Sequence, residues 1–215
     1  MIAPAIAPRT RRQEIAAVLL TAASKFVFMD YLNWRLLFIT VAIVAWAAYV
    51  VIRQRQAPGI MAYWGFRTDN FKQTLRLVLP FGVGAVLACV LIGAYRGSIN
   101  VSWHLIPILL LYPIWGTVQQ FLLIALTAGN LHGLPATGLN KFVIVLLSAL
   151  LFGGIHYPFA WLMAGTFVLA IFYGFVYLKE RNLHVLGIFH GWLGGIFFYT
   201  VVGRDPFLEV FGRIM

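Results

Sequence analysis

Charge is what this 215-residue chain has least of: Asp, Glu, Lys and Arg together make up 10%, and only 6 residues are acidic. An average soluble domain is about 25% charged and 45–50% apolar. Here 62% of residues are hydrophobic and 16% aromatic, with a mean hydropathy of +0.89. A soluble fold of this size has nowhere to hide so much apolar surface, which excludes that class and points to a chain solvated mostly by lipid. Cysteine is almost missing as well. Cys89 stands alone in an apolar stretch, excluding an intrachain disulfide, a CxxC redox pair and a thiolate zinc centre.

The 16 Lys and Arg give a net charge of +10, yet no basic helix with interleaved aromatics is present, so nucleic acid is not expected as a partner. The cations fall between apolar runs, where the positive-inside rule puts them. No Asp, Glu, Lys or Arg occurs in residues 97–140, 142–178 or 182–203. A bilayer core takes about 20 apolar residues per helix. The pattern therefore predicts an all-α polytopic bundle of seven transmembrane helices, at about 15–31, 34–52, 75–95, 104–127, 142–156, 159–178 and 185–202.

With no repeat or low-complexity linker, residues 15–203 read as one transmembrane domain, preceded by a basic segment (1–14) and followed by a short tail (204–215). Seven crossings place Arg9, Arg11, Arg12, Arg53, Arg55, Arg67, Lys72, Arg76, Lys141, Lys179 and Arg181 on one side, against Arg35, Arg96, Arg204 and Arg213 on the other. That asymmetry predicts a cytoplasmic N-terminus, in an integral protein of the bacterial inner membrane. The first helix carries Lys25 and Asp30 and is expected to be retained rather than cleaved as a signal peptide near Ala22 and Ala23. Between the second and third helices, Tyr63-Trp64-Gly65-Phe66-Arg67 reads as an interfacial aromatic anchor.

Chemistry inside a membrane falls to the few polar groups placed there. They are Gln119 and Gln120 on the fourth helix, His156 at the end of Phe152-Gly153-Gly154-Ile155-His156, and His190 in Phe189-His190-Gly191-Trp192-Leu193-Gly194, with Ser148 and Thr166 as minor candidates. Singly, each reads as a residue that ties helices together. Three polar sites on three late helices, with glycines beside both histidines, predict a shared pocket in which Gln120, His156 and His190 converge. Straight-helix counting from the cytoplasmic side resists this, since it sets His156 ~22 Å deep and His190 only ~9 Å.

Other catalytic templates are missing. The chain has no His-Glu-x-x-His, no intramembrane aspartate pair, and no serine dyad, because Ser148 lies about 12 Å along the axis from His156. No metal or cofactor is expected. Two imidazoles in an aromatic-rich bundle nevertheless leave a haem or pigment protein as a reading.

The order of a paired polar motif, Phe152-x-x-x-His156 and a later His190 motif resembles the CPBP family of intramembrane proteases, over residues 63–202. That family includes the CAAX prenyl endopeptidases of the Rce type and bacteriocin self-immunity proteins. Its motifs are Glu-Glu-x-x-x-Arg, Phe-x-x-x-His and commonly His-x-x-x-Asn. The resemblance implies a glutamate that activates water, with histidines and an asparagine steadying the substrate carbonyl. By position, the glutamates fall on Gln119 and Gln120, the arginine on Ile124, the second motif on Phe152 and His156, the third-motif histidine on His190 and its asparagine on Gly194.

An amide cannot take a proton from water, so the family's general base is absent. Two expectations follow. One is an intramembrane endopeptidase-like protein that handles a lipidated peptide, in which, with Gln119 and Gln120 in place of the glutamates, a histidine would have to serve as base. The other is a non-catalytic subunit that uses the same cleft for a membrane lipid, a membrane-protein partner or a pigment.

Overall fold

A computed structural model describes residues 6–134 and 137–212. Arg213, counted in the charge asymmetry, lies outside the described residues, as do the first five residues of the basic segment. The described residues fold as helices: α1 (Pro8–Lys25), α2 (Arg35–Gln56), α3 (Ile60–Trp64), α4 (Phe71–Arg96), α5 (Leu105–Gln120), α6 (Gly129–His132), α7 (Lys141–Gly154), α8 (Ala160–Glu180), α9 (Leu183–Phe197) and α10 (Pro206–Phe211). Three π-helical runs extend them: π1 (Phe26–Tyr31) after α1, π2 (Phe121–Ala128) joining α5 to α6, and π3 (Phe198–Val202) after α9.

The protein is an all-helical polytopic membrane bundle. Among the described residues, five helical runs are long and apolar enough to cross a bilayer: Arg35–Gln56, Phe71–Arg96, Leu105–His132, Ala160–Glu180 and Leu183–Val202. The other two expected crossings differ in kind. α7 has 14 residues, a rise of about 21 Å against the ~30 Å of a hydrocarbon core, and α1 carries Arg9, Arg11, Arg12 and Glu14 in its first two turns. Leu91, Leu110 and Val41 on the long helices point outward, as residues facing lipid do.

Helix starts follow from local side chains. Asn140 accepts from Val143 N at 2.9 Å to begin α7, and Asn182 accepts from Val185 N at 3.0 Å to begin α9. α9 packs most extensively on α5, and α8 on α7. The α5–α9 contact is backbone against backbone. A Cβ at Gly116 would come within 2.7 Å of the Gly187 carbonyl oxygen, and one at Gly191 within 2.5 Å of the Tyr112 carbonyl carbon. Glycine there admits the close approach that small residues give membrane helices.

One expectation changes here. The aromatic segment between α2 and α4 is no interfacial anchor: Trp64 is fully buried, with its ring 5.1 Å from Phe121, and its carbonyl accepts from Tyr177 Oη at 2.9 Å. The loop folds inward because Gly65 adopts a left-handed φ of +100° and lets its carbonyl accept from Leu183 N at 2.8 Å.

Glu14, in the second turn of α1, is buried to 3% exposure. It accepts from Asn130 Nδ2 at 2.6 Å and from Tyr49 Oη at 2.5 Å, while Arg11 Nη1 donates to Asn130 Oδ1 at 3.1 Å. The network ties the first turns of α1 to α6, and Asn130 in the apolar sequence was its one visible signal.

A histidine clamped by two glutamines

Gln119 and Gln120 occupy the last two positions of α5, and π2 begins at the next residue. Gln120 is 0% exposed and Gln119 half-buried, with His190 at 8% on the facing turn of α9. The glycine contact brings these turns together. Gln120 Nε2 lies 2.9 Å from His190 Nδ1, and Gln119 Oε1 lies 2.9 Å from His190 Nε2.

Donor and acceptor roles then follow. An amide nitrogen only donates, so His190 Nδ1 is the acceptor; the ring proton sits on Nε2 and is donated to Gln119 Oε1. His190 is a neutral imidazole with both nitrogens engaged. Gln120 Oε1 is left buried without a partner among the described residues, a cost of about 1–3 kcal/mol for an unmade hydrogen bond.

His156 lies in the turn after α7, where its Nδ1–H donates to the Phe152 carbonyl at 2.8 Å. The Phe152 ring joins the two imidazoles, 5.2 Å from His156 edge-on and 5.4 Å from His190 nearly parallel. Gln119, Gln120, His156 and His190 are therefore gathered around one phenylalanine.

Straight-helix depths fail because α9 does not begin at the bundle surface. Leu183, Val185 and Leu186 are fully buried, and Asn182 Nδ2 donates to the Arg67 carbonyl at 2.9 Å and to Asn70 Oδ1 at 2.7 Å. The 57–70 segment thus covers the first turn of α9 and sets His190 deeper than residue counting allows.

The minor candidates are spent locally: Ser148 Oγ donates to the Ile144 carbonyl at 3.0 Å and Thr166 Oγ1 to that of Leu162 at 2.6 Å. Ile124 is fully buried in the apolar core beside Phe121 and Leu126. Gly194 is different. It faces a cavity, and a Cβ there would meet only Tyr112 Cδ2, at 4.0 Å.

That cavity, about 990 Å³, is lined by Gln119, His156 and His190 at its inner end and otherwise by mostly apolar side chains, including Trp115 and Trp161. Its charged residues are paired with one another: Lys25 Nζ with Asp30 at 2.6 Å, and Arg35 and Arg204 with Glu209 at 3.2 and 2.5 Å. Glu14 cannot reach His190, since its partner Asn130 lies ten residues beyond Gln120, about 15 Å along the helix. No group of three His, Cys, Asp or Glu side chains among the described residues is arranged to hold a metal ion.

A second histidine site sits at the opposite end of α5. Asp205 accepts from Ser102 Oγ at 2.9 Å and Tyr199 Oη at 2.8 Å, lies 2.6 Å from His104 Nδ1, and caps α10 by accepting from Phe207 N and Leu208 N. Burial raises its pKa, but the bonds from His104, Tyr199 and Ser102 outweigh that and hold it down at about 2. Neither His104 nor Asp205 lines the cavity.

Residues 102–196 match the family model described as Type II CAAX prenyl endopeptidase Rce1-like, a narrower stretch than the 63–202 expected. No curated protein and no solved structure matches the chain. The matched stretch holds both glutamines, both clustered histidines and the helices that present them, and it is through this stretch that the chain is similar to the Rce1-like CAAX prenyl endopeptidases.

Proposed function

We propose that this endopeptidase-like membrane protein uses its cleft to bind rather than to cleave. The observation that carries the reading is the double clamp on His190. Cleaving a peptide bond with water needs a group that takes a proton, a contribution of typically 10²–10⁴-fold. At the positions the family fills with glutamates stand two amides, and each is spent on the imidazole that would otherwise help.

His156 keeps a free Nε2 lone pair, but its Nδ1–H faces a carbonyl instead of a carboxylate. An imidazolium formed there has no counter-ion at hand. Gly194 also leaves empty the place of the family asparagine, a donor for the developing oxyanion whose loss costs up to several kcal/mol. Both deficits fall on the transition state. The same clamp argues against paired axial ligation of a haem or pigment, since His190 offers no free lone pair.

The test is cleavage of a prenylated CAAX peptide by purified protein, with a His156→Ala, His190→Ala variant as control. No turnover above the control is expected. Robust wild-type turnover that vanishes in the variant would overturn the reading and make a histidine the base.

The cleft faces lipid-soluble molecules, so its occupant is a membrane lipid, a lipidated peptide or a segment of a membrane partner. We further propose that the basic end of the bundle faces the cytoplasm of a bacterial inner membrane. Arg11, Arg53, Arg67 and Arg181 converge there, and the opposite end holds Arg35 and Arg204 already neutralised in part by Glu209. Single cysteines at positions 55 and 103, in a Cys89→Ser background, are expected to label from the inside and outside respectively. The reverse pattern would invert the orientation.

A further inference from the structure

At the inner end of the cavity two hydrogen-bonding atoms remain after the clamp is made. Gln119 uses Oε1 on His190, and its Nε2 bonds to no described residue. His156 uses Nδ1–H on the Phe152 carbonyl, and its Nε2 lone pair bonds to none either. Both side chains line the same cavity, and both are anchored around Phe152, one directly and one through His190. One leftover atom is a donor and the other an acceptor. No charged side chain bonds to either atom: Lys25 is held by Asp30, and Arg35 and Arg204 share Glu209. Thr166, which lines the same cavity, is already donating to Leu162, and Tyr112 sits seven residues up α5, about 10 Å from Gln119 along the axis.

A ligand that completes this arrangement must accept one hydrogen bond, donate one, bring no charge and carry a long apolar body. We infer that the cleft binds a neutral long-chain lipid alcohol, whose hydroxyl donates to His156 Nε2 and accepts from Gln119 Nε2–H. Other headgroups fit less well. A carboxylate has no proton to donate to His156, and between an amide and a neutral imidazole its charge would be desolvated without an ion-pair partner bonded to it. An ether or ester can accept from Gln119 but leaves the imidazole lone pair buried and unused. The volume of about 990 Å³ stands at the upper end of the ~300–1,000 Å³ usual for small-molecule sites, large enough for a lipid chain.

The inference rests on the cleft being a binding site, and the two fail separately. Trp115 and Trp161 line the cavity, so a brominated chain seated there quenches their fluorescence. Full-length protein in lipid nanodiscs is titrated at pH 7.5 with dibromostearyl alcohol, its methyl ether and dibromostearic acid. The alcohol is expected to quench saturably, displaced by stearyl alcohol, with the ether and the acid about tenfold weaker. Gln119→Leu and His156→Phe should each weaken the alcohol about five- to tenfold and close its gap to the ether.

Equal quenching by all three probes, a preference for the acid, or no saturable component would overturn the inference. Should either variant fail to fold, the headgroup series on the wild type decides alone. CAAX-peptide turnover together with selective alcohol binding would sink the binding-only reading and leave the hydroxyl site standing. No turnover and no headgroup preference would sink the hydroxyl site alone.

Discussion

The two ends of α5 treat a histidine in opposite ways. At its start, His104 meets a carboxylate: Asp205 gathers that imidazole, two hydroxyls and two backbone N–H groups at the rim of the bundle. At its end, His190 meets only amides, deep among α5, α7 and α9. Desolvating a carboxylate is tolerable where five donors and nearby water share its charge, and costs several kcal/mol where none do. An amide can hold an imidazole in one orientation and one tautomer without that penalty. A carboxylate–histidine pair that could support acid–base chemistry is therefore present, but neither of its members lines the cleft, and it secures α10.

The comparison is broken most forcefully through the glycines. Gly191→Ala drives a methyl into the Tyr112–Pro113 backbone and should cost about 3 kcal/mol, by forcing apart the helices that bring the amides to His190. Gly194→Ala, three residues on, meets nothing closer than 4.0 Å and should leave the thermal midpoint in detergent within error. Equal effects at the two positions would mean the α5–α9 contact does not build the clamp.

Next in size is the carboxylate. Asp205→Ala removes a charge-assisted bond set and the α10 cap, a loss of about 2 kcal/mol. In the wild type, a pKa near 2 in the folded state lies below the ~3.9 of an unfolded aspartate. The folded protein then binds fewer protons between those values, and its stability falls as pH drops from about 4 through 2. A thermal-melt series from pH 5 to pH 2 should show this fall, and Asp205→Asn should flatten it. No Asp205-dependent slope would mean the rim pair is not an ionic clasp.

The smallest effect is a single proton. The ¹⁵N spectrum of His190 should show a bare Nδ1 and a protonated Nε2, and Gln120→Glu should move the proton to Nδ1, which then faces a carboxylate. A wild-type spectrum with Nδ1 protonated would reverse the assignment of both amides.

The residues that meet around Phe152 and His190 were largely legible in the sequence. Gln119, Gln120, His156 and His190 stand out because polar groups are rare in these apolar runs, and rarity is a reliable signal in a membrane protein. Less visible was what each would touch. Glu14 looks like an ordinary span-end acid, because nothing local shows that Asn130, 116 residues away, will receive it. Trp64 looks interfacial, because an exposed and an inward-turned loop carry the same aromatic letters and differ only in a left-handed glycine and a bond to Leu183.

From the sequence alone came the membrane class, the helical period, the positions of the long apolar runs and the rare amides and imidazoles within them, all of which depend on composition, spacing and the chemistry of single side chains. The tertiary structure alone decided where α9 begins relative to the bundle surface, which nitrogen of His190 carries its proton, and that the carboxylate–histidine pair lies outside the cleft. Those outcomes depend on how far one helix is shifted along another, and a hydrogen bond that works at 2.9 Å is lost by a shift of a single residue, a rise of ~1.5 Å that hydropathy does not register.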